Sequence, residues 1–258
     1  MECWHMSGAG NDFMVIDARG GSFDFEALSK ALCARTGADG FMAVDQSETA
    51  DFRLHFYNSD GTRGEMCGNG ARCICKFAYD HGITGETMSV ETDAGMVLGL
   101  RLGAEQYRVQ LNNPSLVDPD CRENGTYVEL GNPGVPHSVT HWPTLRWEDK
   151  TALLPEFLAY RNAPEYPKGV NVNFYTWVDE TTVRILTFER GVEDYTLACG
   201  TGSASTAVVL WLQGKLPGGK LTVLNPGGTL EVTVESQNDR IDRLFLEGPA
   251  TVLQILDI

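Results

Sequence analysis

The tetrapeptide C-G-x-G occurs twice, as Cys67-Gly68-Asn69-Gly70 and as Cys199-Gly200-Thr201-Gly202. The two cysteines are 199 − 67 = 132 residues apart in a chain of 258. A spacing of about half the chain obliges the fold to build one local geometry twice. The same offset organises other segments. Residues 51–58 (DFRLHFYN) and 183–190 (VRILTFER) both alternate as strands, which puts Asn58 on Arg190. Residues 90–102 (VETDAGMVLGLRL) and 222–234 (TVLNPGGTLEVTV) both read as hairpins, with Gly95 on Gly227. Residues 37–42 (GADGFM) fall on 169–174 (GVNVNF), with Gly37 on Gly169 and Asp39 on Asn171. The halves share little residue identity, so pattern and spacing carry the duplication.

The runs after the two cysteines define the expected core. Residues 71–80 (ARCICKFAYD) and 203–212 (SASTAVVLWL) read as helices with apolar or small side chains on every side. A helix apolar all round is buried all round, and each run is too short to span a membrane. Gly82 and Gly214 are helix stops. Short, turn-punctuated strands surround both helices. The expected fold is α/β (α+β): two pseudo-symmetric domains, each a curved sheet or barrel around a central buried helix. The length allows two domains of ordinary size. They are expected at 1–113 and 114–249, with a last strand, 250–258, crossing back to complete the first. Residues 112–136 carry Asn112-Asn113-Pro114, Pro119, Pro133 and Pro136 and read as the hinge. Segment 145–165 reads as a helix interrupted at Pro155, with a counterpart at 24–35.

Charge narrows the function. The formal net charge is −15, which argues against generic binding to nucleic acid or to anionic membranes. The start, MECWHMSGAGNDF, shows no basic n-region and no apolar h-region, so no signal peptide is read there. The cysteine count is seven, odd, in a chain large enough to do without disulfide staples. A reduced, cytoplasmic location is expected.

Cysteine at a helix start has a specific chemistry. A free thiol is mostly protonated at neutral pH, and a helix N-terminus favours its thiolate. The flanking glycines let backbone approach a ligand closely, and their N–H groups form an anion nest. A substrate carboxylate held there would stabilise a carbanion forming beside it. One thiolate could then remove an α-proton while the opposite thiol returns one to the other face, inverting the centre without a cofactor. Cys3, Cys33, Cys73, Cys75 and Cys121 read instead as small hydrophobes. No cysteine or histidine spacing suits zinc, and neither Gly-rich copy continues into Gly-Lys-Ser/Thr as a phosphate loop would.

At these residues the chain resembles the diaminopimelate epimerase family. The match rests on GAGNDF at 8–13, NSDGTRGEMCGNGARC at 58–73, GVNVNF at 169–174 and ERGVEDYTLACGTGSAS at 189–205, with GVPH at 134–137 as a weaker fifth segment. The resemblance implies an active site in the cleft between two α/β domains, with Cys67 and Cys199 as the acid–base pair. It implies that Asn11, Asn69 and the backbone at Gly68, Gly200 and Thr201 hold the reacting amino-acid end. Asn58, Asn171 and Arg190 would bind the distal end, where a guanidinium can pair bidentately with a carboxylate. His137 and Glu189 match the residues that tune the thiols or orient the substrate ammonium. The resemblance also implies a homodimer, no cofactor and no metal. One departure bears on the substrate: Val135 stands where many members have an asparagine that helps bind the distal end.

The leading expectation is therefore conversion of LL- to meso-diaminopimelate in lysine and peptidoglycan synthesis. A racemase of the same fold acting on another amino acid, such as histidine, is the near rival, motivated by Val135. An isomerase of the phenazine-synthesis type is opposed by retention of both cysteines. A non-catalytic amino-acid-binding or thiol-redox protein is the reading from another class.

Overall fold

Strands buried on both faces set the architecture. The computed structural model describes residues 1–258 apart from Glu65, Glu123 and Asn124 and the side chain of Asp120. The chain divides into two compact units: Met1–Gln110 with Glu247–Ile258, and Leu111–Leu246. The division falls inside the strands Gln106–Leu111 and Arg240–Pro249, whereas the sequence suggests 113/114 and 249/250.

In the first unit, strand Thr251–Asp257 pairs antiparallel with Glu2–Gly8, which pairs with Asn11–Asp17. Gly40–Asp45 lies parallel to Asn11–Asp17, then Phe52–Asn58 antiparallel to it and Thr87–Thr92 parallel again. The hairpin Thr87–Thr92/Gly95–Arg101 comes next. Side chains alternate between two helices. Met14, Ile16, Phe41 and Ala43 pack with Leu32 and Cys33 of α1 (Phe25–Thr36). Phe13 and Met42 lie instead against Gly70 of α2 (Gly68–Asp80). Because both faces are covered, strand 40–45 (GFMAVD) shows no polar alternation. Helix α2 touches Glu2–Gly8, Asn11–Asp17, Gly40–Asp45 and Gly95–Arg101, so the open sheet curves around it. Asp24 caps α1 through Ala27 N, and Gly37, at φ 77°, ends it.

The second unit repeats this order. Pro114–Arg122 and Gly125–Leu130 are antiparallel, and Gly125–Leu130 pairs with Val135–His141. Asn171–Trp177 is parallel to Val135–His141, Thr182–Glu189 antiparallel to Asn171–Trp177, and Lys220–Asn225 parallel to Thr182–Glu189. Helix α3 (Lys150–Arg161) packs Phe157 and Tyr160 on Val172, Phe174, Leu186 and Phe188. Helix α4 (Gly200–Leu212) takes the other face, touching Gly125–Leu130, Val135–His141, Asn171–Trp177 and Gly228–Gln237. Both central helices are buried along most of their length.

Three sequence expectations are corrected. Most of the supposed hinge is paired strand, Pro114–Arg122 with Gly125–Leu130. Pro114 is the first residue of its strand, a place where a missing N–H is tolerated. Residues 123 and 124 of that segment lie outside the described residues, as does Glu65 of the first cysteine motif. The helix expected at 145–165 starts at Lys150, after a 3₁₀ turn at Trp147–Asp149, and runs through Pro155 without ending there. The repeat offset also drifts. It is 171 − 40 = 131 and 189 − 58 = 131 in the strands, 200 − 68 = 132 at the central helices and 228 − 95 = 133 in the hairpins. Asn58 therefore corresponds to Glu189 and not to Arg190, and Gly95 to Gly228 and not to Gly227. Thr92 faces Gly95 as Asn225 faces Gly228. Each of those glycines has positive φ, 109° and 153°.

Candidate active site

Each cysteine comes after a short antiparallel hairpin that delivers the chain to the open end of a buried helix. In the first unit Arg63–Gly64 pairs with Phe56 and Tyr57, and Cys67 is then the extended N-cap of α2 (φ −126°, ψ 124°). In the second, Asp194–Thr196 pairs back on Thr187–Glu189, and Cys199 is the extended N-cap of α4 (φ −115°, ψ 109°). Their carbonyls accept the first helical hydrogen bonds, from Ala71 N at 2.7 Å and Ser203 N at 2.9 Å. At both places first-turn N–H groups without an acceptor inside the helix and the helix dipole favour negative charge.

The first unit joins four of the candidate residues. The turn Gly8–Gly10 takes positive φ at Ala9 and Gly10, and delivers Asn11 beside α2. A Cβ at Gly8 would stand 2.6 Å from the Asn69 carbonyl oxygen, so the turn and the cysteine loop meet backbone to backbone. The buried Asn69 donates through Nδ2 to Asn11 Oδ1. Asn11 donates in turn to Asp39 Oδ2 at 3.3 Å, which also accepts from Asp12 N at 3.0 Å. Cys67, Gly68, Asn69 and Asn11 thus form one cluster anchored by Asp39. Asn58 is engaged elsewhere: exposed at its strand end, it donates through Nδ2 to Thr62 Oγ1 at 3.0 Å.

The second unit joins more. Asn171 is buried and accepts from Arg190 N at 2.8 Å while donating to Pro136 O at 3.1 Å. The Arg190 guanidinium donates to Lys168 O at 2.8 Å, and the neighbouring Glu193 carboxylate is taken by Arg161. Gly169, at φ 65°, lies under both arginines, where a Cβ would meet Arg161 and the Arg190 side chain. Glu189 is half-buried at the end of its strand, its carbonyl accepting from Glu193 N at 2.8 Å. Cys199 Sγ accepts from Gly202 N at 3.4 Å and stands 3.5 Å from Thr201 Oγ1. Gly200 is buried in the first turn. Val135 is exposed at the start of its strand and offers no side-chain hydrogen bond.

His137 is fully buried beside Asn171, its register partner, and burial above all, with Arg190 second, pushes its pKa down to about 3. It is a neutral imidazole at ordinary pH. Its Nδ1 lies 3.2 Å from Asn173 Nδ2, whose amide is oriented by Thr187 Oγ1 donating to Oδ1 at 3.0 Å. Asn173 Nδ2 also donates to Ser138 O at 3.0 Å and to Asn171 O at 3.1 Å. Among the described residues Nε2 has no partner.

Burial pushes the other thiols up, to about 12 at Cys73 and Cys75 and about 11 at Cys3, with Cys33 and Cys121 raised for the same reason. They stay neutral. Among the described residues no group of three His, Cys, Asp or Glu is placed to hold a metal ion, and no helix is long and apolar enough to cross a membrane.

Two supporting residues escape sequence reasoning. Asp39 enters there only as part of a repeat, although an acid just before a buried strand is a signal. Asn173 is fully buried and its carboxamide lies against Gly202, where a Cβ would come within 2.2 Å of Oδ1. Its signal is alternation: Asn171 and Asn173 share one face of a strand whose other face is Val172 and Phe174.

Known proteins place the chain. The profile of the family described as diaminopimelate epimerase matches residues 3–117 and 130–253. A diaminopimelate epimerase of Chlorobaculum tepidum is 38% identical over 252 residues, covering 95% of this chain and 96% of the relative. One from Aquifex aeolicus is 36% identical over 267 residues, covering 96% and 94%. Among solved structures, a hydroxyproline epimerase from Agrobacterium vitis, with bound trans-4-hydroxy-L-proline, has a TM-score of 0.72 at 15% identity, covering 99% of this chain and 91% of that one. A phenazine biosynthesis protein of Bacillus anthracis has 0.69 at 14%, covering 100% and 98%. The last two are likenesses of fold alone, whereas the profile and the near-full-length relatives decide the kinship: the chain belongs to the diaminopimelate epimerase family.

Proposed function

We propose that this protein interconverts LL- and meso-diaminopimelate by a two-thiol mechanism without a cofactor. The observation that carries the reading is the pair of cysteines, each the extended N-cap of a buried helix at the same place in a duplicated fold. A thiolate at one start removes the α-proton, and the thiol at the other returns a proton to the opposite face. The substrate α-carboxylate, held by N–H groups at Gly68, Asn69, Gly200 and Thr201, stabilises the carbanion as it forms. Asn11, fixed by Asn69 and Asp39, holds the same end.

Asn58, Asn171 and Arg190 bind the distal end. The contact of Arg190 N with Asn171 Oδ1 supports this by setting the two side by side. Glu189, at the adjoining position, orients the substrate ammonium. Neutral His137 acts through hydrogen bonding and not through charge. We place the enzyme in the cytoplasm, a setting supported by its odd count of seven cysteines, and propose that it works as a homodimer.

The test is incubation with LL-diaminopimelate in deuterated water. Solvent-derived label at one α-carbon and formation of the meso isomer are expected. Absence of both removes the proposal. Val135 favours one second reading, a racemase of another amino acid on the same site. A panel of L-amino acids followed by chiral chromatography separates the two. Preferential turnover of a monocarboxylic amino acid such as histidine would select the second.

A further inference from the structure

Arg190 leads into a turn whose backbone is disfavoured and yet fixed. Gly191 takes φ 91° and Glu193 takes φ 56°, the left-handed region that a residue with a Cβ seldom enters. Three bonds hold Glu193 there. Its N–H donates to Glu189 O at 2.8 Å. Its Oε1 accepts from Gly191 N at 2.9 Å and from Arg161 Nη2 at 2.5 Å. Glu189 and Gly191 are the two neighbours of Arg190, so these contacts bracket it on both sides. Arg161 first, and the Gly191 N–H second, hold the Glu193 carboxyl below its usual range, so it is charged at neutral pH.

Arg161 is the last residue of α3, where a cation suits the helix end. Its side chain is 17% exposed, against 52% for that of Glu193. Its Nε is buried without a hydrogen-bond partner among the described residues. That burial carries a desolvation cost, which a half-exposed ion pair does little to offset. The packing shows what else the pair does. A Cβ on Gly169 would meet Arg161 Nη1 and, at 3.3 Å, Arg190 Cδ. The two arginine side chains thus lie over one glycine, and the Glu193 carboxylate answers one of two neighbouring like charges. The Arg190 guanidinium donates through Nη1 to Lys168 O at 2.8 Å and keeps further N–H groups for an anion. The matching turn of the first unit, after Asn58, closes within itself. Asp60 Oδ1 accepts from Thr62 N at 2.8 Å, Asn58 Nδ2 donates to Thr62 Oγ1, and the positive φ, 85°, falls on Gly61.

We propose that Arg161 and Glu193 are positioning residues, clamping the turn after Arg190 to the end of α3 and so presenting the Arg190 guanidinium to the carboxylate at the substrate's distal end. The assignment rests on the reading of Arg190 as a distal-end group. Glu189 is also held in its ladder opposite Asp194, so loosening the clamp acts first on Arg190.

The test compares the parent with Glu193→Gly and Arg161→Met in steady-state epimerisation of LL-diaminopimelate. Glycine removes the carboxylate and at the same time suits the left-handed backbone, so Glu193→Gly decides alone if Arg161→Met fails to fold. In each variant KM is expected to rise about tenfold or more with kcat within about threefold, because a distal contact is made equally in ground and transition states. The double variant is expected to be no worse than the weaker-binding single, since both remove one clamp. A merely structural role would lower the melting temperature and leave KM in place, which overturns the proposal, as does a double variant showing the product of the two single effects. A second readout needs no turnover: in a crystal structure of Glu193→Gly, Arg190 Nη1 is expected to have left Lys168 O, and a retained contact overturns the proposal. Loss of that contact in a protein that does not epimerise diaminopimelate removes the substrate reading alone. Normal epimerisation by the parent with an unmoved KM in the variants removes the clamp alone.

Discussion

Helices α2 and α4 have the same length, begin with the same tetrapeptide and occupy the same place in their units, yet they are filled differently. Along one face α2 carries Asn69, Arg72 and Lys76, all buried. At the same spacing α4 carries Thr201, Ala204 and Val208. The shared part is what a fold needs: a central rod, two sheet faces and a cap that turns a thiol toward the open end. The differing part is what an unsymmetrical reaction needs. Arg72 donates to Gly68 O at the first helix start, whereas at the second Gly202 lies against the Asn173 carboxamide, which adjoins the neutral His137 imidazole.

The comparison can be broken most severely at the cysteines. Cys67→Ser and Cys199→Ser should each lower epimerisation of LL-diaminopimelate by about 10³-fold or more, since each removes one proton-transfer partner. The measurement is meso-isomer formation by chiral chromatography. Near-parental rates in both variants would end the two-thiol account.

A smaller effect tests how the two helix starts are packed. A Cβ at Gly202 would meet Asn173 Oδ1 at 2.2 Å, inside a bonded network. Gly202→Ala should cost about 1–3 kcal/mol in urea unfolding. The matching residue Gly70 faces Met42 Sδ at 3.0 Å, the far end of an adaptable side chain, and alanine is the better helix former. Gly70→Ala should change stability by less than about 1 kcal/mol. Equal costs at the two sites would show the packing difference to be immaterial.

The pH dependence of stability offers another test of the comparison. His137 has a folded pKa near 3 against an ordinary 6.5, so between those values the unfolded chain holds one more proton than the folded one. Its contribution is fully present above pH 6.5 and is lost as pH falls through that window, by about 1 kcal/mol per pH unit. The first unit has Phe13 at the matching register, facing Gly40 as His137 faces Asn171. His137→Phe should flatten this part of the stability curve between about pH 6 and 4, and an unchanged slope would place the acid sensitivity elsewhere.

These residues also show what is legible in a sequence and what is not. The duplication, both central helices and their cysteine caps emerge from local pattern, because a helix buried on all sides writes its burial into every position. Offsets of a single residue are not legible. Asn58 corresponds to Glu189 and Gly95 to Gly228 because loops in the two halves differ in length, and only the strand ladders fix the register. The proline-bearing stretch 112–136 reads as a hinge because proline argues against central strands, yet Pro114 opens a strand, Pro119 lies within it and Pro136 is the second residue of the strand after next. Asn173 and Arg72 stay hidden for another reason. Their contacts lie across the sheet or on the returning chain, and the alternation of Asn173 with Asn171 is the one local sign of either.

That returning chain carries a consequence for synthesis. Residues 247–258 are made after the whole of the second unit, yet they belong to the first. Until they arrive, Glu2–Gly8 lacks its partner Thr251–Asp257 and presents an open ladder edge of the kind that invites wrong pairing. The contiguous second unit has no such wait. Pro249, which supplies a carbonyl to Arg72, is part of the same late segment. The nascent protein thus completes the chain of its second unit before that of its first.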